Sequence, residues 1–251
     1  MRFDILTIFP DMLKGILYES VIGRACKSGL IEINFHNIRD YSLDKHKKTD
    51  DIPYGGGFGM VMTPQPSTDC INAVKNTCKG NARTIYMSPR GRVFNQQIAK
   101  ELCSYDNIII LCGHYEGLDQ RVIDSCIDEE LSIGDYVLTG GEMPAAVVVD
   151  AVSRLVPGVL KDNECFEKES IASGLLEHPQ YTRPPIFNGL CVPEVLMGGN
   201  HALIDEWKRK KSLELTLKKR PDLLKNIPLS KNDLLFLEQL YQQNTWEFEN
   251  E

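Results

Sequence analysis

From Arg2 to Val156 the chain switches repeatedly between two apolar periods. Phe3 and Ile5 fall on one side of a strand, Leu6 and Ile8 on the other. Residues 11–27 then place Met12, Leu13, Ile16, Leu17, Val21 and Ile22 at helical spacing, and Gly29 stops them. The same reading predicts strands over 30–37, 83–87, 107–112 and 130–133. It predicts helices from a Ser67 or Thr68 cap to about Cys78, and over 95–103, 118–126 and 142–156. Strands that alternate with helices require crossovers, so they form a mainly parallel sheet covered on both faces. The fold class is therefore α/β. The helix at 142–156 is apolar around most of its circumference, so it should be buried in the core or against a second subunit.

The pattern breaks in two places. Ile38 to Gln65 is long, irregular and glycine-rich at 55–59, and loops of that length are usually functional or disordered. Beyond Lys161 the pattern turns helical only: a polar segment at 161–172, then a helix over 201–219 capped by Asn200. A last helix starts at a Ser230/Asp233 capping box and should bury Leu234, Leu235, Leu237, Leu240 and Tyr241. The expected organisation is a domain over 1–160, a linker over 161–172 and a small all-helical domain over 173–251.

Composition narrows the function classes. With 251 residues and 42% hydrophobic content, the chain can bury a large core. The N-terminus lacks an apolar signal segment, and the run Ala145 to Val149 ends at Asp150, too short for a bilayer. A cytoplasmic location without membrane association is expected. None of the eight cysteines is spaced as a zinc ligand, so free thiols mostly in the core are expected, and no structural metal. The net charge is −7, yet Trp207 to Lys225 holds eight Lys/Arg against Glu214 and Asp222. A basic block on an acidic chain suits either a solvated helix face or a phosphate-binding surface.

The first strand runs into Phe9-Pro10-Asp11-Met12 without the G-x-G-x-x-G turn of a Rossmann fold, and no P-loop is present. The distinctive sequences lie instead at three later strand ends. They are Tyr86-Met87-Ser88-Pro89-Arg90-Gly91, Cys112-Gly113-His114-Tyr115-Glu116-Gly117, and residues 132–142 from Ser132 to Glu142. In open α/β sheets ligands bind beyond the carboxyl ends of strands, and glycine lets backbone approach them. Backbone groups could read an adenine edge while Ile133, Leu138 and Pro144 sandwich the ring.

The strings F-D-I-L-T-I-F-P, P-Y-G-G-G-F-G-M-V-M, M-S-P-R-G, G-H-Y-E-G-L-D-Q-R-V and S-I-G-D-Y-V-L-T-G-G-E resemble the bacterial tRNA (guanine-N1)-methyltransferase family. So do H-P-Q-Y-T-R-P, V-P-E-V-L-M-G-G-N-H and W-K-R-K-K-S-L, in order over nearly the whole chain. The resemblance implies a SPOUT-class fold with a deep trefoil knot and a homodimer with shared active sites. It implies S-adenosylmethionine as cofactor, with Mg2+ as a candidate helper, and tRNA as partner. The methyl acceptor would be N1 of guanosine 37, beside the anticodon. The implied cofactor wall is Tyr86, Met87, Ser88, Pro89, Gly113, Tyr115, Glu116, Ile133, Gly134, Asp135, Tyr136, Val137, Leu138, Gly140, Gly141 and Pro144. Glu116 would face the sulfonium charge.

Guanine N1 holds a proton at neutral pH, so methylation needs a base near N1 and positive charge or donors near O6. The resemblance assigns the O6 role to Arg154, which spacing alone would read as a helix ion pair with Asp150. It assigns the base to Glu169, where the family has aspartate. The added methylene moves the carboxylate by ~1 Å, a displacement that can cost about 100-fold in rate. Asp50 and Gly59 belong to the segment that would close over the guanine, and Lys208 and Arg209 to the block that would grip phosphates. Trp207, four residues after Leu203, is expected in a buried stripe, and His114, His178 and His201 to orient neighbours. Two other functions remain open: a related knotted RNA methyltransferase, which on a ribose hydroxyl would not need Glu169, and a non-catalytic RNA-binding module.

Overall fold

The computed structural model describes residues 1–161 and 170–244. The chain forms two compact units, Met1–Asn163 and Glu164–Glu251.

The first unit is built on a five-stranded sheet in the order β2-β1-β6-β5-β7: β1 (Arg2–Thr7), β2 (Glu32–Asn37), β5 (Ala82–Val93), β6 (Asn107–Cys112) and β7 (Glu129–Ser132). Every pairing in it is parallel. The two-residue period puts Leu6, Ile109, Leu111 and Tyr86 on one face, in a core with Cys70, Ile71 and Val74 of α3 (Pro64–Lys75) and Val122, Ile123 and Cys126 of α5 (Gln120–Cys126). On the other side, α1 (Asp11–Leu17) and α4 (Gln96–Leu102) pack against α6 (Glu142–Ser153), which lies on β1 and β6. The central β6 is buried at all six residues, as a parallel strand covered on both faces must be.

Several expectations are corrected. The helix expected over 11–27 is two helices, α1 and α2 (Ser20–Lys27). The Tyr18 hydroxyl donates to the Ile33 carbonyl at 2.9 Å, Ser20 takes φ +53, and a Cβ on Gly23 would lie 2.1 Å from the Tyr18 carbonyl oxygen. The chain turns sharply while its apolar spacing continues. Helix α3 starts earlier than expected, after Thr63, because Pro64 suits the first helical position. The segment expected to be irregular holds a short antiparallel hairpin of β3 (Asp50–Asp51) and β4 (Val61–Met62). Helix α6 is buried in the core along most of its length, and Met143 and Val147, each nearly half exposed, are the part of it that the core does not cover.

In the second unit an antiparallel hairpin, β8 (Ile186–Phe187) with β9 (Leu190–Cys191), corrects the expectation of helices alone. It precedes α7 (Glu194–Met197), α8 (His201–Lys219) and α9 (Lys231–Asn244). Asn200 caps α8 by accepting from the Leu203 N–H. The capping box is reciprocal: Asp233 N–H donates to Ser230 Oγ and Ser230 N–H to Asp233 Oδ2. The face expected to be buried on α9 is largely outward, with Leu234, Leu235 and Tyr241 exposed. Leu203 is also exposed, so the Leu203–Trp207 stripe is not buried; Trp207 is half-buried beside His178 and Tyr181.

Candidate active site

The excursion of β5 after Met87 and the carboxyl ends of β6 and β7 converge on one cavity of about 360 Å³, inside the range of roughly 300–1,000 Å³ usual for ligand sites. One wall is Tyr86, Met87, Ser88, Pro89 and Arg90. A second is 113–118, from Gly113 to Leu118. The third runs from Leu131 through Ile133, Gly134, Tyr136, Val137, Leu138 and Thr139 to Gly140, Gly141 and Pro144. The structure thus brings together every residue of the expected wall except Asp135, which points outside it. The turn at Gly134, with φ +145 and its carbonyl accepting from the Tyr136 N–H, faces Asp135 to solvent.

Close backbone packing sets the shape. Gly141 N–H donates to the Gly113 carbonyl at 2.8 Å. A Cβ on Gly141 would lie 2.7 Å from Cys112 Cα, a contact with backbone that no side-chain rotation could relieve. Behind the wall sits a buried polar network. Glu142 is 1% exposed; it accepts from the Thr7 hydroxyl and bonds His114 Nε2 at 2.7 Å. The His114 ring packs edge-on to Phe9 and against Gly140. The end of β1, the loop after β6 and the start of α6 are thereby tied together. Burial pushes the Tyr86 phenol up from its ordinary value, and burial, with Glu142 nearby, pushes the Cys112 thiol well up, so both stay protonated. Tyr115 holds φ +60, a conformation that costs a non-glycine residue energy and clusters at functional sites.

The glycine-rich segment docks onto this wall. Glu116 N–H donates to the Met60 carbonyl, Met62 N–H to the Gly117 carbonyl and Asp119 N–H to the Met62 carbonyl. Gly59, at φ +80, lies against the Glu116 side chain, whose Oε1 a Cβ there would meet at 2.4 Å. Asp50 pairs with Met62 in the hairpin that carries this segment. Tyr54 and Phe58 are fully exposed on it.

Arg154 is half-buried and caps the end of α6. Glu169, the expected base, lies outside the described residues. In the second unit Lys208 and Arg209 sit side by side on α8, but Arg209 is engaged: its guanidinium donates twice to Asp233, at 3.2 and 3.0 Å. Arg90 and Thr139, which belong to the strand-end sequences read as pocket wall but were not among the expected cofactor contacts, also line the cavity, as do Gln120 and Leu131, to which sequence reasoning gives no role. Arg90 stands inside the M-S-P-R-G string, and the break in the β5 ladder between Met87 and Arg92 brings it beside the cavity. Among the described residues no group of three or more His, Cys, Asp or Glu side chains could hold a metal, and no helix is long and apolar enough to cross a membrane.

Comparison with known proteins identifies the relatives. The family model of tRNA (Guanine-1)-methyltransferase TrmD matches residues 1–226. The chain belongs to this family. It is 56% identical over 238 residues to the tRNA (guanine-N(1)-)-methyltransferase of Clostridium novyi, covering 95% of this chain and 97% of that one. Against the enzyme of the same name from Ruminiclostridium cellulolyticum it is 55% identical over 228 residues, 91% and 98% of the two chains. That from Alkaliphilus oremlandii is 54% identical over 246 residues, 96% and 98%.

Proposed function

We propose that the chain transfers a methyl group from S-adenosylmethionine, bound in the strand-end cavity, to N1 of guanosine 37 of tRNA. Family membership carries the reaction, methylation of guanine N1 in tRNA. The cavity carries the cofactor assignment. Its volume suits a nucleoside with an amino-acid tail, its glycines bring backbone donors and acceptors to the surface, and Ile133, Leu138 and Pro144 offer apolar faces for an adenine ring. When bound, S-adenosylmethionine supplies a methyl group on a cationic sulfur. Glu116, on the same wall, faces that charge.

Arg154 stabilises the electron density that builds on O6 as N1 loses its proton. Glu169 takes that proton. The segment with Asp50 and Gly59 closes over the guanine, and its hydrogen bonds to 116–119 support that role. The residues over 173–251 grip the tRNA through Lys208 and its neighbours, and through Arg209 to the extent that Asp233 leaves it charge. A trefoil knot is supported by the close crossing of Gly141 over Cys112 and Gly113. A homodimer is supported by apolar side chains that α1 and α6 leave open, Met12, Ile16, Met143 and Val147, each 45–49% exposed. A tRNA substrate fits a cytoplasmic location.

The test is transfer of a labelled methyl group to a tRNA transcript carrying guanosine or adenosine at position 37, with and without Mg2+. Transfer to guanosine alone is expected, with Glu169→Gln and Arg154→Ala each reducing it strongly. Equal transfer to both transcripts would favour ribose chemistry, and transfer to neither a binding module. Wild-type turnover by Glu169→Gln would remove Glu169 from its role.

A further inference from the structure

The formally charged side chains lining the cavity are Glu116 and Arg90. Resting on the reading of this cavity as the S-adenosylmethionine site, we propose that Arg90 binds the carboxylate of the methionine tail.

The backbone explains how Arg90 reaches the cavity. Met87 and Arg92 of β5 both register on Leu131 of β7, so the residues between them leave the ladder as a bulge. Bulges of this kind re-aim a side chain. Gly91 pins the bulge to β7, since a Cβ there would lie 2.4 Å from the Glu130 carbonyl carbon. The Arg90 N–H donates to Ser88 Oγ at 3.3 Å, folding the bulge over the wall.

The electrostatics then select the ligand group. Among the described residues Arg90 pairs with the Glu130 carboxylate at 3.3 Å, and its side chain is 61% exposed. An exposed pair of that length is weak, so the planar guanidinium can still offer a paired set of donors to a second carboxylate. The methionine tail carries a carboxylate together with its ammonium and sulfonium. Glu116 suits the cations. Without Arg90 the carboxylate would enter a cavity whose remaining formal charge repels it.

Calorimetry can compare S-adenosylmethionine with its decarboxylated form, which lacks only the carboxylate, on the wild-type chain, Arg90→Gln and Arg90→Lys. A charge-assisted bond at a partly exposed site should make the wild type favour the carboxylate form by about tenfold. Arg90→Gln should lose that preference while binding the decarboxylated form as before, which also reports an intact fold. Arg90→Lys should recover part of it. Equal weakening of both ligands, no change in either, or a raised KM for tRNA alone would each overturn the assignment. If neither ligand bound the wild type, the cavity reading would fail and the assignment with it.

Discussion

The two units of this chain are held together by different means. In Met1–Asn163 the strands that carry the cavity are sealed in a core: β6 is buried along its length, and Phe3, Ile5, Leu6, Ile85, Ile109 and Leu111 are 0% exposed. In Glu164–Glu251 the buried side chains among the described residues are Leu175, Leu213, Thr216 and Asp233. What orders that unit is largely polar: the Ser230/Asp233 capping box, the Arg209–Asp233 pair, and the Thr216 hydroxyl accepting from the Leu176 N–H. The contrast fits the two proposed tasks. Methyl transfer needs reacting atoms placed to within a fraction of an ångström, which a packed sheet provides. Contact with phosphates needs charge in the right region and tolerates adjustment.

The largest expected effect lies behind the cavity wall. Glu142→Ala leaves Thr7 and His114 without their shared carboxylate and opens a void, at a cost of about 3–4 kcal/mol in urea unfolding. A loss below about 1 kcal/mol would mean that the polar network does not hold the wall. Next, Leu213→Ala removes the largest fully buried side chain of the helical unit. A thin core collapses more easily around a void, so the expected cost is about 2 kcal/mol, the low end for such changes. A cost above about 4 kcal/mol would erase the contrast in packing.

The polar ordering of the second unit predicts a pH signature. The Arg209 guanidinium, helped by the Ser230 N–H, holds the Asp233 carboxyl at about 2 against an ordinary 3.8. A depressed carboxyl stabilises the fold above its unfolded pKa, and that stability disappears as pH falls from about 4 to about 2. With Arg209 42% exposed, solvent reduces the effect to about 1 kcal/mol. Asp233→Asn should flatten the acid limb of the stability curve in that window; an unchanged limb would reject the linkage. The smallest effect concerns tRNA. Lys208→Gln should lower the slope of log KM for tRNA against log salt by about 0.7–0.9, the value of one phosphate contact. Arg209→Gln should change it less, because Asp233 already neutralises part of that charge. Equal slopes for the two variants would say that the ion pair opens when tRNA binds.

The first unit was far more legible than the second, for physical reasons. Wherever a strand or helix buries one face, the period is written in the apolar residues, and Asn107–Cys112, covered on both faces, shows instead as a short apolar run rich in β-branched residues. Turns governed by a single close contact were not legible: the break between α1 and α2 depends on Tyr18 reaching Ile33, and the bulge after Met87 on the fit of Gly91 against Glu130. The site followed the same rule. Strand ends with glycines marked the cavity, while Arg90 needed the bulge and Asp135 was lost to the turn at Gly134. One missed element did leave a signal. Asn188-Gly189, with φ +51 and +78, is the residue pair that a tight hairpin prefers, and it joins β8 to β9. The outward face of α9 could not be foreseen, because apolar spacing shows that a face exists and not what covers it.

On the proposed reading the excursion of β5 and the ends of β6 and β7 enclose the methyl donor, with Gly141 packed on Cys112 and Gly113 to shape the wall. The most direct test of that reading is titration of S-adenosylmethionine, without tRNA, into the wild-type chain and Gly141→Ala. The added methyl must push the wall off the end of β6 by a sizeable fraction of an ångström. Saturable binding by the wild type is expected, with about tenfold or greater loss of affinity in the variant and its folded spectrum retained, since a shifted wall forfeits close contacts with the ligand. Equal affinity in the two proteins would contradict it.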